Sequence, residues 1–302
     1  MENFGLILAP RKPKDYIFGG QTKIAGKILQ ADGQWLDYLP IGEKQHSVYF
    51  DTMACVTFSA LNVLEILIKR KYGIDVNFSD RFTAKMSGTT KDGNWLYKVG
   101  DSIRKDGWVD EIEYPYPREQ RTPIFVWEYY YQDISQILKD IGLLNLKDTL
   151  VQYEWVDEGD LKKALKESPI QVTVRAWYDT DGNLVYENNI ENQNHAVVLV
   201  GYKDEDYWLI FDSYDVNGDY IKKLEWNYNF GNNGIKYNIT KKEMSNSIIL
   251  KDEKSNSIVF ADPALNEDAF LSYALNRGIE IPLKNGKPDW DKIKLDGTYK
   301  LS

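Results

Sequence analysis

The stretch FDTMACVTFSALNVLEILIKR, residues 50–70, contains the only cysteine of this 302-residue chain. Its apolar residues recur at steps of three and four, which predicts a helix over residues 53–71. Asp51 or the residue after it is placed to cap the start of this helix, and three basic residues followed by Gly73 favour its end there. The stretch therefore predicts a long apolar helix with Cys55 in its first turn.

The single cysteine, Cys55, has two interpretations at this point. A lone cysteine on a helix is most often a small buried hydrophobic residue. At a helix N-terminus, however, unpaired N–H groups and the positive end of the helix dipole stabilise a thiolate. The helix by itself does not decide between a packing role and a nucleophile.

Two residues further along the chain meet the needs of a thiol nucleophile. His195, one of only two histidines, begins the apolar strand HAVVLVGY, and a nucleophilic thiol requires a base such as imidazole. Asp212 ends an apolar run in the next predicted strand, where a buried carboxylate requires a cationic or hydrogen-bonding partner. Asp212 would then fix the orientation and tautomer of the imidazole. A structural histidine and a turn-starting aspartate remain the alternatives.

The order of the predicted elements indicates an α+β fold. After the first helix, periodic apolar residues predict helices over 95–105, 126–144 and 158–167. Apolar runs then predict strands over 170–177, 195–202 and 207–214. Because helices dominate the first half and strands the segment 170–240, the pattern favours α+β over alternating α/β. Nearer the end of the chain, the sequence predicts a helix over 270–277 and a turn over 284–290.

Composition limits the partners of the chain. A net charge of −9 and a pI near 5.0 argue against nucleic acid or an anionic membrane surface as the main partner. We expect neither a signal peptide nor a membrane-spanning segment from the apolar runs in the sequence. One cysteine leaves no internal disulfide, which suits a reducing compartment, so a cytoplasmic or virion-associated protein is expected.

No metal or other cofactor is expected. One cysteine and two scattered histidines are too few for a structural zinc site. The segment DTDGN, residues 179–183, resembles part of a calcium loop, but the other ligand positions hold Trp177 and Asn188, so we interpret it as a hairpin turn. The glycine motifs of nucleotide-binding folds are absent from the sequence.

Five segments, in the same order along the chain, resemble the papain family of cysteine peptidases. They are CVTFSAL (55–61), DGNWLYKVGDSIRKDGWVDEIEYPY (92–116), DEGDLKKALKESPIQVTVRAW (157–177), NHAVVLVGY (194–202) and YWLIFDSYDVNGDY (207–220). The cysteine and the histidine lie far apart in the sequence, whereas related thiol-hydrolase folds usually have much shorter spacings. The resemblance implies a papain-like fold, in which a helical half with the nucleophile helix packs against a half built on an antiparallel β-sheet or barrel.

The resemblance also implies roles for four residues. Cys55 would be the nucleophile, His195 the base, and Asp212 the third catalytic residue, where papain itself has an asparagine. Gln45 would donate to the oxyanion, although the glutamine of the family lies about four residues closer to the cysteine, a difference that a small insertion would explain. The implied activity is hydrolysis of peptide or isopeptide bonds in a protein or peptide substrate, within a cleft between the two halves.

The predicted domain organisation follows from the extent of the resemblance. Residues 45–240 would form the catalytic domain, with a helical part over about 45–150 and a β part over about 151–240. Residues 1–44 would be an N-terminal segment without a recognisable inhibitory propeptide, and residues 241–302 a C-terminal extension that could bind a protein partner. An alternative function therefore stays open, that of a weak or inactive papain-like domain serving as a binding or structural module of a larger assembly.

Overall fold

The computed structural model describes residues 3–8, 10–11, 15–20, 24, 26–46, 50–116, 127–147, 149–180, 182–188, 192–216, 218–241, 248–251, 258–261 and 283–289. Its helices are α1 (Cys55–Tyr72), α2 (Asp80–Met86), α3 (Leu96–Asp106), α4 (Trp127–Tyr130), α5 (Gln136–Lys147) and α6 (Leu161–Ala164). Single 3-10 turns cover Leu36–Tyr38 and Glu158–Asp160. Within these residues, the structure contains no helix that is both long and apolar enough to cross a membrane.

Helix α1 confirms the prediction from its apolar periodicity, but it begins two residues later than predicted. The backbone of Met53 adopts a φ of 56°, which turns the chain immediately before the helix. The N-cap residue is Ala54, which makes no side-chain capping bond. The predicted capping role of Asp51 is therefore wrong, because its carboxylate accepts the N–H of Met53 instead. At the other end, the N–H of Gly73, at a φ of 68°, donates to the carbonyl of Lys69 as expected.

The helix predicted over 126–144 is divided into α4 and α5. Carbonyl groups at the end of α4 are taken by α2 side chains, because Arg81 Nε donates to the Tyr130 oxygen and Lys85 Nζ to the Tyr131 oxygen, at 2.9 and 2.6 Å. The hydroxyl of Ser135 then accepts the N–H of Leu138, in the manner of an N-cap. The helix predicted over 158–167 is likewise reduced to a 3-10 turn and the short α6.

A seven-stranded sheet forms the second half of the fold. Its strands are β1 (Thr149–Val156), β2 (Ile170–Val174), β3 (Val185–Tyr186), β4 (His195–Lys203), β5 (Tyr207–Val216), β6 (Asp219–Glu225) and β7 (Gly234–Lys241). Their order is β1-β7-β2-β4-β5-β6-β3, with all pairs antiparallel except β3 with β6. The sequence pattern does not predict β1, which pairs along its whole length with β7, a strand distant in the sequence.

The core lies between α1 and the sheet. Helix α1 packs against β4, β5 and β7 on one side and against α2 and α3 on the other. Its buried residues include Val56, Val63, Leu64 and Leu67, which belong to one cluster with the buried residues of β2 and β4. The N-terminus of α1 is thereby held against the start of β4, so Cys55 and His195 come from elements that are fixed relative to each other.

Part of the C-terminal extension is also described. Strands β8 (Ile248–Lys251) and β9 (Ile258–Ala261) pair as a hairpin, and β10 (Leu283–Lys284) pairs with β11 (Lys287–Pro288). Asn285 and Gly286, with φ of 56° and 78°, form the turn between β10 and β11, which confirms the turn predicted there. The helix predicted over 270–277 lies outside the described residues.

Candidate active site

Cys55 is the first residue of α1, and its side chain is fully buried. The backbone N–H groups of Val56, on its own helix, and of Ala196, on β4, are close enough to its sulfur to lower the pKa of the thiol. Because Ala196 follows His195 directly, the sulfur lies at the start of the strand that carries the histidine. The structure thus brings the two residues to one place from distant positions in the sequence.

His195 and Asp212 are in direct contact and fully buried. Nε2 of His195 lies 2.6 Å from Oδ1 of Asp212. A carboxylate accepts, so Nε2 carries the hydrogen and Nδ1 has the lone pair. Nδ1 is buried and has no hydrogen-bond partner among the described residues. Regular pairing of β5 with β6 is interrupted between Phe211 and Val216, and this irregularity lies where Asp212 leaves the ladder.

Burial controls the charge state of the cysteine in this structure. Loss of solvent raises the pKa of the Cys55 thiol well above its usual value, and the negative charges of Asp51 and Asp212 raise it further. The hydrogen bonds from Ala196 and Val56 oppose this effect without overcoming it. Desolvation thus outweighs the backbone N–H groups in this closed arrangement, and the thiolate expected from the helix N-terminus stays a prediction for the opened site.

Gln45 reaches the site despite its distance in the sequence. A bridge joins His46 to Asp51, and the N–H of Thr52 donates to the carbonyl of Gln45. The bridge brings Gln45 next to the residues that directly precede α1, although ten positions separate it from Cys55 in the sequence. The Gln45 side chain is fully buried, and its Oε1 accepts the hydroxyl of Ser213, the neighbour of Asp212, at 2.7 Å.

The site is closed by residues 3–8, which we call the covering segment. The N–H of Phe4 donates to the carbonyl of Asn194, and Gln45 Nε2 donates to the carbonyl of Phe4 at 3.0 Å. Further along, Asn94 donates its N–H to the Gly5 carbonyl and accepts the N–H of Ile7, at 2.9 and 2.8 Å. The covering segment thus lies as an extended chain between the helical half and the sheet.

Aromatic rings enclose the imidazole of His195. The rings of Phe4, Trp177 and Tyr214 lie with their centroids 5.6, 5.7 and 5.3 Å from it. The ring of His46 stacks on Tyr214, with their centroids 4.6 Å apart. These rings, together with the covering segment, keep water from the contact between His195 and Asp212.

One charged residue of the site, Lys222, was not predicted from the sequence. Lys222, on β6, is buried and places Nζ 2.8 Å from Oδ2 of Asp212. Its burial could have been predicted from the alternation of buried and exposed positions along β6. Lys222 shares the buried face of this strand with the fully buried Leu224. A lysine at an apolar position, next to a strand with a buried aspartate, indicates such a pair.

No group of three or more histidine, cysteine, aspartate or glutamate side chains in the described part of the chain is arranged to hold a metal ion. The reactive groups that the chain itself brings to the site are a thiol, an imidazole, a carboxylate with its lysine, and the amide of Gln45.

The family model of papain family cysteine proteases matches residues 51–256. The chain therefore belongs to the papain family of cysteine proteases, and the α+β, papain-like fold expected from the sequence is confirmed. No curated protein sequence matches this chain significantly.

Solved structures agree at the level of the fold. The cysteine protease and lectin-like domains of Cwp84, a surface layer associated protein of Clostridium difficile, match 82% of this chain and 57% of that chain, with 14% identity and a TM-score of 0.56. Cwp84 after propeptide cleavage matches over 71% and 58%, with 14% identity and a TM-score of 0.52. A digestive procathepsin L2 from the larval midgut of Tenebrio molitor matches over 79% and 78%, with 17% identity and a TM-score of 0.49. The first two matches span little more than half of those longer chains.

Proposed function

We propose that this protein is a cysteine peptidase that hydrolyses peptide or isopeptide bonds with Cys55 as nucleophile, His195 as base and acid, and Asp212 as the residue that orients the imidazole. The observation that carries the proposal is the buried imidazole, with Nε2 on Asp212 and an unpaired Nδ1, one residue from the N–H that contacts the Cys55 sulfur. A buried ring nitrogen without a partner is uncommon in a histidine with a purely structural role.

The proposed reaction proceeds through a thioester. The Cys55 thiol transfers its proton to Nδ1 of His195, and the thiolate attacks the carbonyl carbon of the scissile bond. The imidazolium then protonates the leaving amine as the carbon–nitrogen bond breaks. Water attacks the thioester with His195 as base, which releases the carboxylic acid and restores the thiol.

Two groups suit the negative oxygen of the tetrahedral intermediate. One is the backbone N–H of Cys55, which lies at the N-terminus of α1 and has no carbonyl partner within the helix. The other is Nε2 of Gln45, which already donates to a carbonyl, that of Phe4. Removing one such donor typically costs about 2.7–4 kcal/mol of transition-state stabilisation.

The proposal requires the covering segment to leave before substrate binds. Cys55 and His195 are both inaccessible beneath it, and Gln45 is occupied by the carbonyl of Phe4. The same closure, together with the raised pKa of the thiol, favours the second candidate function, that of an inactive papain-like binding module. Activity of the opened site separates the two candidates.

The test is hydrolysis of a mixed peptide library by the wild type and by a Gly5→Ala variant. In that variant, an added Cβ would lie 2.3 Å from the Met53 carbonyl oxygen, which displaces the covering segment. We expect hydrolysis by Gly5→Ala, and a loss on the order of 10⁴-fold or more when Cys55→Ser or His195→Ala is added. Gly182→Ala is the matched control, because Gly182 also has a positive φ but open space around it, and it should show no gain in hydrolysis.

Hydrolysis that survives Cys55→Ser would contradict the assigned nucleophile. A folded Gly5→Ala variant with accessible Cys55 and without hydrolysis of any library peptide would favour the binding module.

A further inference from the structure

The contact between Asp212 and Lys222 is a buried ion pair on the side of the carboxylate away from His195. The Lys222 side chain is 2% exposed, and Nζ lies 2.8 Å from Oδ2 of Asp212. The ammonium also donates to the carbonyl of Tyr214 and lies 5.2 Å from the ring centroid of Trp177. The lysine is therefore held in place from three directions, and its charge is directed at one oxygen of the carboxylate.

The two oxygens of Asp212 thus have different partners. Oδ1 faces Nε2 of His195, and Oδ2 faces the ammonium of Lys222. A buried carboxylate without a cation takes up a proton, because burial disfavours the charged form. A protonated Asp212 could place its hydrogen toward Nε2 and thereby reverse the tautomer of the imidazole. An ammonium at Oδ2 opposes that protonation.

We propose that Lys222 is a positioning residue that keeps Asp212 ionised, so that the hydrogen of His195 stays on Nε2 and the lone pair of Nδ1 stays available to Cys55. This inference rests on the proposed function, in which Nδ1 takes the thiol proton. It also gives a reason for the pairing, since an uncharged asparagine at position 212 would need no counter-ion, whereas a buried aspartate does.

Other ionisable groups face this cluster and belong to the same electrostatic balance. They are Cys55 on α1, Tyr186 on β3, and the bridged pair Asp51 and His46 before α1. Of these, Asp51 is acidic, and burial raises the pKa of its carboxyl. Lys222 is the ammonium in direct contact with Asp212, which makes it the group to change.

The first test reads the tautomer directly. Histidine labelled with ¹⁵N is followed by NMR from pH 5 to pH 8 in the full chain, with His46→Gln to assign the two residues. We expect the Nε2–H tautomer of His195 in the wild type. In Lys222→Met, the carboxylate has lost its cation and its protonation is no longer opposed, so the Nε2–H signature should weaken at the acidic end of this range and recover as the pH rises.

Two further variants separate positioning from packing. Asp212→Asn/Lys222→Met replaces the ion pair by a neutral amide and an apolar chain, and it should restore the Nε2–H tautomer at every pH. Lys223→Met is the matched control, because Lys223 is the exposed neighbour on the opposite face of β6. It should behave as the wild type.

The second readout is the rate at which iodoacetamide labels Cys55, which needs no substrate. Lys222→Met should label about ten-fold more slowly than wild type at the acidic end of the range, and this difference should shrink as the pH rises. In Asp212→Asn/Lys222→Met, the labelling rate of Cys55 should return most of the way to the wild-type rate. Opening of the covering segment affects all variants alike, so it cancels in these ratios.

Several results would overturn the inference. A His195 signal in Lys222→Met that matches wild type at every pH, or a labelling defect that does not change with pH, would reduce Lys222 to a packing role. An Nδ1–H tautomer in the wild type would do the same. If Lys222→Met does not fold, a folded double variant with the wild-type tautomer supports the inference, and one with a different tautomer contradicts it. If these tests are passed while a folded Gly5→Ala variant with accessible Cys55 hydrolyses no library peptide, the proposed function is contradicted and the role of Lys222 is left intact.

Discussion

Two lysines lie buried in the same sheet, and only one of them is next to the proposed catalytic groups. Lys222 on β6 pairs with Asp212, and Lys236 on β7 pairs with Glu154, with Nζ 2.6 Å from Oε1, and also with Glu167. Both lysine side chains are 2% exposed. The two lysines are equally buried, and each contacts a carboxylate that is itself buried.

They differ in what the carboxylate contacts on its other side. The second oxygen of Glu154 accepts the backbone N–H of Ile24 at 3.1 Å, so this cluster ends at the main chain. The second oxygen of Asp212 contacts His195, whose far nitrogen is unpaired. A buried ion pair alone does not indicate chemistry, because structural networks have the same geometry. The two clusters differ in the group on the other side of the carboxylate, which is a backbone N–H for Glu154 and the imidazole of His195 for Asp212.

The largest expected effect tests the structural cluster. Lys236→Met leaves two carboxylates without their cation, and we expect a loss of about 3–5 kcal/mol in the free energy of unfolding, measured by urea denaturation. The ¹⁵N signals of His195 should not change. A loss below about 1 kcal/mol in the free energy of unfolding would contradict the structural role of the Lys236 cluster. An altered His195 tautomer would show that this cluster acts on the proposed catalytic groups.

The next effect concerns how each cluster is covered. Gly5 has a φ of 104°, and its added Cβ would lie 2.3 Å from the Met53 oxygen, so Gly5→Ala should open the site and leave the Lys236 cluster closed. If this overlap costs the closed state about 1–3 kcal/mol, iodoacetamide should label Cys55 roughly 5- to 150-fold faster than in wild type.

The control for this opening is Gly182→Ala, because Gly182 also has a positive φ, of 72°, but has open space around it. It should leave the labelling rate unchanged. Equal rates in wild type and Gly5→Ala would mean that the covering segment does not limit access to Cys55.

The smallest effect compares these paired carboxylates with Glu65 on α1, whose surroundings are negative. Burial raises the pKa of the Glu65 carboxyl well above its usual value, and Glu43, Glu111 and Asp110 raise it further. The folded state therefore keeps a proton that the unfolded state releases. This contribution to stability is complete below about pH 4.5, the usual value, and is lost as the pH rises.

Glu65→Gln has no such proton to lose, and its Oε1 can still accept the N–H of Phe78, now at 2.8 Å. Between pH 4.5 and pH 8, the variant should gain about 1–2 kcal/mol in stability relative to wild type, measured by urea denaturation at each pH. Glu128→Gln, on an exposed position of α4, should show no such trend. A constant difference across this range would contradict the assignment.

The local sequence pattern predicted the structure correctly where an element depends only on residues adjacent in the chain. The periodicity of α1, the strands β4 and β5 and the turn before β11 were all predicted correctly. The pattern failed where another element intervenes. The helix predicted over 126–144 is interrupted because Arg81 and Lys85 take its carbonyl groups, and β1 depends on a partner strand that is distant in the sequence.

The sequence by itself determined the helix that carries Cys55, the strand that begins at His195, and the run that ends at Asp212, because each follows from residues adjacent in the chain. Only the tertiary structure decided that Lys222 pairs with Asp212, that Gln45 reaches the site, and that the covering segment closes it. Those contacts join residues from separate elements. Their energies depend on burial and on orientation to a few tenths of an ångström, which periodicity along a chain does not specify.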